Sequence, residues 1–181
     1  MRASQFEQFA PHDARTVFLG DSITAGGLWQ EWFPTVSLVN RGIDGDMSDG
    51  VLARLGTAVS TTTRRVFLLI GTNDLTLGTP IDEIVENVRE ILRGIRTVSP
   101  DAQLVLQSVM PRDAQFRPAI EELNGRYRAL AEEIGTSFLE LWPALADEHG
   151  ELRSEFTLDA LHLNGAGYAA WVELLRPFVL R

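Results

Sequence analysis

The chain has 181 residues, 45% of them hydrophobic, with 25 acidic and 16 basic side chains and a formal net charge of −9. Folding buries roughly 70% of the surface of an unfolded chain of this length, so residues 1–181 can form a single domain without disulfides or metal. The sequence has no cysteine and no lysine. These absences exclude thiolate metal sites, thiol nucleophiles, Schiff-base lysines and a phosphate-binding P-loop.

The charge and hydropathy patterns also restrict the partners and the location. An acidic chain without a basic stripe repels phosphate backbones, so we expect no nucleic-acid partner. The longest apolar run, 66–70, is far shorter than the roughly 18–20 residues that span a bilayer, and the N-terminal residues lack an apolar signal region. We therefore expect no membrane insertion and a cytoplasmic protein.

Five short runs of apolar and β-branched residues are typical of β-strands. Three of the runs are almost continuously apolar, as expected for strands that are covered on both faces. The five runs cover residues 15–20, 35–40, 65–71, 102–109 and 136–141.

Between these strands, apolar residues recur with a helical period. The longest such stripe runs from Ile81 to Ile95, begins after Pro80 and ends before Ser99, which predicts a helix. Three further helices are predicted: a short one after Ser48, one over 120–134 that ends at Gly135, and one over 165–175 with Asn164 as N-cap and Pro177 as its stop.

Strands that alternate with helices predict right-handed crossovers and a parallel sheet with helices on both faces, which is a three-layer α/β fold. In such sheets, ligands bind outside the carboxyl ends of the strands. Four polar or glycine-containing loops follow the strands or precede the last helix, at residues 20–22, 40–46, 71–74 and 159–162.

These loops together contain the groups that acyl transfer requires. A serine hydroxyl becomes a nucleophile when a base takes its proton, the base needs an orienting acid, and the oxyanion needs fixed donors. Each group alone is more typical of an ordinary turn or helix cap, and only the combination favours catalysis. The loops supply Ser22, Asn73, Asp159, His162 and several glycines.

The segments GDSIT, NRGIDGD, GTND and DALHLN resemble, in order and spacing, the four blocks of the SGNH hydrolases, also called the GDSL esterase/lipase family. The similarity covers nearly the whole chain and is greatest to the small lysophospholipase-like and platelet-activating-factor acetylhydrolase-like members. It implies a flavodoxin-like α/β/α fold with five parallel strands in the order 2-1-3-4-5.

The resemblance also assigns roles by motif position. Ser22 matches the nucleophile, His162 the general base and Asp159 the acid that orients it. The oxyanion donors would be the backbone N–H groups of Ser22 and Gly45 and the side-chain amide of Asn73.

Two positions in these blocks need a decision. The second block contains both Gly42 and Gly45, and we choose Gly45 because it precedes Asp46, as the family's donor glycine precedes an acidic residue. The last block has Ala160 where relatives often have glycine, which leaves the role of Asp159 intact and bears on the shape of the turn.

Further residues have a functional and a structural interpretation. Trp29, Leu75 and Met110 follow predicted strands or the nucleophile and are candidates to line an acyl pocket, although core packing explains them at least as well. Residues 142–158 form a long connection and are a candidate lid or substrate loop. Asp21 is expected to brace the turn around the nucleophile.

The remaining histidines carry no predicted chemistry. His12 lies in an N-terminal arm and His149 in a turn, so both are expected at the solvated surface. With no cysteine and three scattered histidines, we expect no metal site. We also expect no cofactor.

The sequence therefore predicts a cofactor-independent serine esterase that hydrolyses small carboxylic esters with short acyl chains through an acyl-enzyme intermediate. The expected partner is a small-molecule ester, and formation of a homo-oligomer stays open. Two alternatives remain: a carbohydrate O-deacetylase with the same machinery, and a non-catalytic binding protein that keeps the flavodoxin-like shape.

Overall fold

A computed structural model describes residues 2–9 and 13–180 of the chain. Its centre is a sheet of five parallel strands: β1 (Thr16–Gly20), β2 (Leu38–Gly42), β3 (Arg65–Leu69), β4 (Gln103–Gln107) and β5 (Ser137–Leu139). Their order across the sheet is β2-β1-β3-β4-β5, which confirms the predicted order. The order reverses between β1 and β3, and the loops at this switch point form a crevice.

Helices connect the strands on both faces of the sheet, and three of them are long. Those that the structure describes are α1 (Arg2–Gln8), α2 (Ser22–Ala25), α3 (Trp29–Trp32), α4 (Ser48–Ala53), α5 (Leu55–Ala58), α6 (Thr72–Leu77), α7 (Ile81–Val98), α8 (Arg117–Ile134), α9 (Trp142–Leu145) and α10 (Gly165–Val179), with single 3₁₀ turns at Ala114–Phe116 and Ser154–Phe156.

Alternate residues of β1 pack on opposite faces of the sheet, as the pleat of a strand requires. Val17 and Leu19 belong to the core cluster that includes residues of α7 and α8, whereas Phe18 belongs to the cluster with α3 and α10. Each such buried side chain contributes roughly 1.5–3 kcal/mol to stability. Both faces of the sheet are therefore covered, which confirms the three-layer α/β architecture.

Two helix ends follow the predicted capping chemistry, and a third helix end does not. Asn164 caps α10 because its Oδ1 accepts the backbone N–H groups of Ala166 and Gly167. Gly135 ends α8 in the left-handed conformation at φ 70°. The expectation that Pro177 stops α10 is wrong, since the helix continues to Val179. Proline has a helical φ, and in a last turn it removes only one hydrogen bond.

Several boundaries also differ from the sequence pattern, and two of these differences have a local explanation. The helix expected after Ser48 is divided into α4 and α5, because Arg54 leaves helical geometry at φ −103°. Strand β2 begins at Leu38 and not at residue 35. The preceding Ser37 is outside the strand, and its carbonyl accepts N–H groups from residues 15 and 16.

The N-terminal helix α1 was not predicted. Its sequence has a single large apolar side chain, Phe6, which is buried with its ring facing the guanidinium of Arg41 at 4.5 Å. Tertiary packing and not an amphipathic stripe therefore stabilises this helix. His12, predicted to be solvated, lies outside the described residues. In the part of the chain that the structure describes, every helix is too short or too polar to cross a membrane.

Candidate active site

The loops at the carboxyl ends of β1, β2 and β3 meet the turn before α10 at one open cavity of about 560 Å³. All of the predicted catalytic and oxyanion residues line it except Asp159, which lies behind His162. The lining residues are Arg2, Ser22, Ala25, Gly26, Asp44, Gly45, Asn73, Leu161 and His162.

Three polar side chains form a continuous chain of hydrogen bonds at this cavity. Ser22 Oγ lies 2.9 Å from Nε2 of His162, and Nδ1 of the same ring lies 2.7 Å from Oδ2 of Asp159. The imidazole is 47% exposed, so a substrate can reach it from solvent. This arrangement has the distances that a nucleophile, a base and an orienting acid require.

Ser22 is held at the junction between β1 and α2. Asp21 caps α2, because its Oδ1 accepts the N–H of Ile23 at 2.9 Å. The Asp21 side chain is buried, and this burial raises its pKa from 3.8 to about 7, against the opposing effect of the backbone hydrogen bonds. Asp21 therefore braces the turn around Ser22, as expected.

The turn that carries the imidazole is organised by its own carboxylate. Oδ1 of Asp159 accepts the backbone N–H groups of Leu161 at 3.0 Å and His162 at 2.7 Å. The hydrogen bond from the His162 ring, followed by these backbone bonds, holds the pKa of Asp159 well below its usual range. Ala160, between Asp159 and Leu161, adopts the left-handed conformation at φ 59°. A glycine-preferring geometry thus exists where the sequence has alanine.

One wall of the cavity is lined by Gly45 and Asn73, which carry candidate oxyanion donors. Gly45 lines the cavity with φ 75°, and no atom beyond its own chain neighbours lies within 4 Å of the position that a Cβ would take there. At Gly42, by contrast, a Cβ would collide with the backbone nitrogen of Ala25. Gly42 is therefore a packing glycine, and its N–H already donates to Oδ1 of Asn40 at 2.9 Å, which favours Gly45 as the candidate donor.

Asn73 uses part of its amide to hold this wall. Its Nδ2 donates to the backbone carbonyl of Asp46 at 2.8 Å, which leaves one N–H for a substrate atom. Next to it, Asp74 is buried and accepts the N–H and the hydroxyl of Ser48, so Asp74 joins the loops without entering the cavity.

Arg54 is a site residue that sequence reasoning missed. Its guanidinium pairs with Asp46, and both side chains are nearly buried. Burial raises the pKa of Asp46 and lowers that of Arg54, while the attraction between the two charges acts in the opposite direction in each case. No motif surrounds Arg54 in the sequence, so no signal there pointed to it.

The three candidate pocket residues do not line the cavity. Trp29 has no exposed surface, stacks on Phe18 at 4.2 Å and donates Nε1–H to the carbonyl of Thr24. Met110 is buried in the same core cluster, and Leu75 packs against the cluster on the other face. Core packing therefore accounts for these three side chains. The interpretation that they line an acyl pocket is corrected.

The segment 142–158 is packed against the body of the protein. It contains α9, an antiparallel bridge between Ala146 and Leu152, and a 3₁₀ turn. Leu145 and Leu152 are buried in the core, and no residue of the segment lines the catalytic cavity. His149 is exposed, as expected. Among the described residues, acidic and histidine side chains form no cluster of three that could hold a metal ion.

Comparison with known proteins assigns the family. The model of the GDSL-like lipase/acylhydrolase family matches residues 18–170, which include all four sequence blocks. The chain belongs to this family. A GDSL-family hydrolase of this kind acts on carboxylic esters, which agrees with the predicted class of enzyme.

Relatives of known sequence or structure support the assignment. This GDSL-family chain is 27% identical over 179 residues to platelet-activating factor acetylhydrolase IB subunit alpha1 of Homo sapiens, covering 93% of the chain and 77% of that protein. A Streptococcus pneumonia structure described as a platelet activating factor matches with TM-score 0.92 and 28% identity, over 98% of this chain and 91% of that one. A GDSL-like lipase of Bacteroides thetaiotaomicron matches with TM-score 0.83 and 25% identity, over 99% and 98%.

Proposed function

We propose that the protein is a serine esterase that hydrolyses short-chain acyl esters through an acyl-enzyme intermediate. The observation that carries the proposal is the unbroken contact from Ser22 through His162 to Asp159 at the cavity surface. In the proposed reaction, Oγ of Ser22 attacks the ester carbonyl while Nε2 of His162 accepts its proton. The imidazolium then returns that proton to the leaving alcohol.

The second half of the reaction reverses the roles of the same groups. Water replaces the alcohol, His162 accepts one of its protons, and the resulting hydroxide attacks the acyl carbonyl on Ser22. Asp159 stays ionised and stabilises the imidazolium, and the low pKa of its carboxyl supports this role. Collapse of the second tetrahedral intermediate breaks the bond between the acyl carbon and Oγ, the imidazolium returns its proton to Oγ of Ser22, and the carboxylic acid leaves.

Both tetrahedral intermediates carry a negative charge on the former carbonyl oxygen. We assign its stabilisation to the backbone N–H groups of Ser22 and Gly45 and to the free amide N–H of Asn73. All three residues line one cavity, and the hydrogen bond from Asn73 to Asp46 fixes the amide before substrate binds. A donor that is fixed in advance needs no reorganisation as charge develops.

The cavity favours a small acyl group. Among the described residues, its only apolar side chains are those of Ala25 and Leu161, and the aromatic side chains nearby are in the core. A long acyl chain would leave most of its surface in water, so added methylenes would contribute little binding energy. The relatives named acetylhydrolases act, by that name, on the acetyl group, which agrees with this preference.

A panel of 4-nitrophenyl esters from acetate to laurate tests the proposed function. We expect kcat/KM to be greatest for acetate or butyrate and to fall for longer chains. Ser22→Ala, purified in parallel, controls for background hydrolysis and should show no turnover above buffer. A maximum at twelve carbons would contradict the short-chain assignment, and wild-type activity in Ser22→Ala would contradict the nucleophile.

The two alternatives differ from this proposal in measurable ways. A carbohydrate O-deacetylase would use the same residues and would release acetate from acetylated oligosaccharides faster than from simple alkyl acetates. A non-catalytic binding protein would turn over no ester of the panel. Its fold alone would not require a serine, a histidine and an aspartate in mutual contact, so the observed contacts favour an enzyme.

A further inference from the structure

A second cavity, of about 360 Å³, lies beside the catalytic cavity and shares Arg2 and Ala25 with it. Its described lining residues include two arginines and no acidic residue, although the chain as a whole has 25 acidic and 16 basic residues. We call it the arginine cavity. Its lining residues are Arg2, Ala25, Gly27, Leu28, Gln30, Val39, Asn40 and Arg41.

Arg41 is a nearly buried charge without an acidic partner. It is 5% exposed, its Nε donates to the carbonyl of Thr57 at 3.2 Å, and its guanidinium faces the ring of Phe6. Within residues 2–9 and 13–180, no carboxylate is within 4.0 Å of a nitrogen of Arg41 or Arg2. Buried charges in proteins are usually paired. Because Arg41 has no such partner among the described residues, its guanidinium retains the capacity to bind an anion.

The charges nearest to Arg41 do not compensate its positive charge. Burial, and then the charge of Arg54, lower the pKa of Arg41. Arg54 itself is neutralised by Asp46. The carboxylate of Asp44 lines the catalytic cavity but not the arginine cavity, so a negative group would be favoured in the arginine cavity.

We propose that Arg2 and Arg41 form a subsite for an anionic group on the substrate, so that the preferred ester carries a phosphate, sulfate or carboxylate beside the scissile bond. The inference rests on the proposed esterase function, because the shared residues Arg2 and Ala25 connect this subsite to the cavity that holds Ser22. Guanidinium groups bind such anions through paired, charge-assisted hydrogen bonds.

A purely structural role is the competing explanation. The ring of Phe6 lies against Arg2 of the same helix at 5.9 Å and against Arg41 of β2 at 4.5 Å, so Arg41 also holds α1 to the body of the protein. Loss of that packing would affect every substrate equally. The deciding quantity is therefore the ratio of kcat/KM between a charged and a neutral ester, not either value alone.

The test compares 2-acetoxyethyl phosphate with 2-hydroxyethyl acetate, which share the acetyl ester and differ in the phosphate. Because the net charge of −9 repels anions, a protein without the subsite should favour the neutral ester. We expect wild type to favour the phosphate ester by about tenfold or more in kcat/KM. Arg2→Gln and Arg41→Gln should each reduce that ratio about fivefold or more, as loss of a charge-assisted contact implies.

Matched variants separate charge from packing. Arg41→Lys keeps the charge and should retain part of the preference, whereas Arg126→Gln, on the exposed side of α8, should leave both values unchanged. Arg2 is the first described residue of α1, so Arg2→Gln and the reversal Arg2→Glu test the subsite even where Arg41→Gln fails to fold.

Several outcomes would overturn the proposal. Equal kcat/KM for the two esters, or a ratio that neither arginine variant changes, would remove the subsite. Competition by inorganic phosphate without a preference for the phosphate ester would show a free-ion site and contradict the substrate assignment. Absence of turnover of both esters would instead contradict the proposed esterase function, on which the subsite rests.

Discussion

The guanidinium of Arg54 joins the strand end before the nucleophile to the loop that carries a candidate oxyanion donor. Its Nε donates to Oδ2 of Asp46 at 2.7 Å, and its Nη2 donates to the carbonyl of Gly20 at 3.1 Å. The side chains of Arg54 and Asp46 are 10% and 13% exposed, so water and salt screen the pair only weakly. Arg54 therefore links the strand end that precedes Ser22 to the loop that contains Gly45.

Arg54→Lys should lower kcat more than it raises KM. A lysine cannot reach both acceptors in the same fork geometry, so the loop at Gly45 would shift relative to Ser22. We expect kcat per folded molecule to fall by about 10- to 100-fold, the effect of a misplacement on the order of 1 Å. Kinetics normalised by active-site titration measure this change.

A stability-matched control makes that result interpretable. Ile91→Val in α7 should cost roughly 0.5–1.5 kcal/mol of stability and leave kcat per titrated site unchanged. Equal kcat values for Arg54→Lys and wild type, together with a lowered melting temperature, would reduce Arg54 to a purely structural residue.

Asn73→Ala should act on the transition state. Its amide is placed where negative charge develops, so its loss should lower kcat by on the order of 100- to 1000-fold, or roughly 3–4 kcal/mol, with KM little changed. Asn73→Asp should be no better, because a carboxylate would repel the oxyanion. Steady-state kinetics on the acetate ester provide the measurement.

Asn124→Ala is the control for this variant, since it also removes a structural amide. Asn124 bonds both backbone groups of Val109 away from the cavity, so its loss should lower stability and spare kcat per titrated site. The same pattern in Asn73→Ala would assign Asn73 to loop structure alone.

Asp21 should make stability depend on pH. Because its pKa is raised to about 7 in the fold, the folded chain binds a proton between about pH 4 and 7 that the unfolded chain has lost. The stabilisation is present below the unfolded pKa and is lost as pH rises through the folded pKa. The difference of roughly 3 pH units corresponds to at most about 4 kcal/mol.

Asp21→Asn removes the ionisation and keeps an oxygen that can accept from Ile23. Urea unfolding of wild type and Asp21→Asn should show a gap that grows between pH 5 and 7 in favour of the variant. A gap that stays constant over this range would contradict the raised pKa.

Replacing Ala160 with glycine should increase the stability of the protein. At φ 59° an alanine is strained, and relief of that strain exceeds the entropy that glycine loses on folding, so Ala160→Gly should add up to about 1 kcal/mol. Ala129→Gly, on the exposed side of α8, should instead cost about 1 kcal/mol. Denaturant titrations of both variants supply the comparison, and destabilisation by Ala160→Gly would refute the strain.

Much of this architecture could be predicted from sequence because it depends on local patterns. Apolar runs and helical periods located the strands and the long helices, and parallel crossovers then required a three-layer sheet. The caps at Asn164 and Gly135 could be predicted because each depends on a single residue. Asn164 accepts backbone N–H groups with its side chain, and Gly135 adopts a left-handed φ. The prediction that Pro177 ends α10 was wrong, because a proline in the last turn of a helix removes only one hydrogen bond and the helix tolerates that loss.

The parts that could not be predicted depend on contacts between distant residues. The sequence of α1 has no stripe, since Phe6 is buried by arginines from β2 and from the break after α4. Arg54 reaches Gly20 across 34 positions, and no spacing rule connects them. Trp29 follows the nucleophile closely, yet the end of α2 directs it into the core, where its indole bonds Thr24.

The stoichiometry of phosphonate labelling tests the central claim most directly. A fluorophosphonate should modify wild type once per chain, on the peptide that contains Ser22, and abolish ester hydrolysis in proportion. His162→Ala should label far more slowly while remaining folded, and Ser22→Ala should not label. Hydrolysis of acetate esters that persists after full exposure to the reagent, or a label on any other residue, would contradict the serine mechanism.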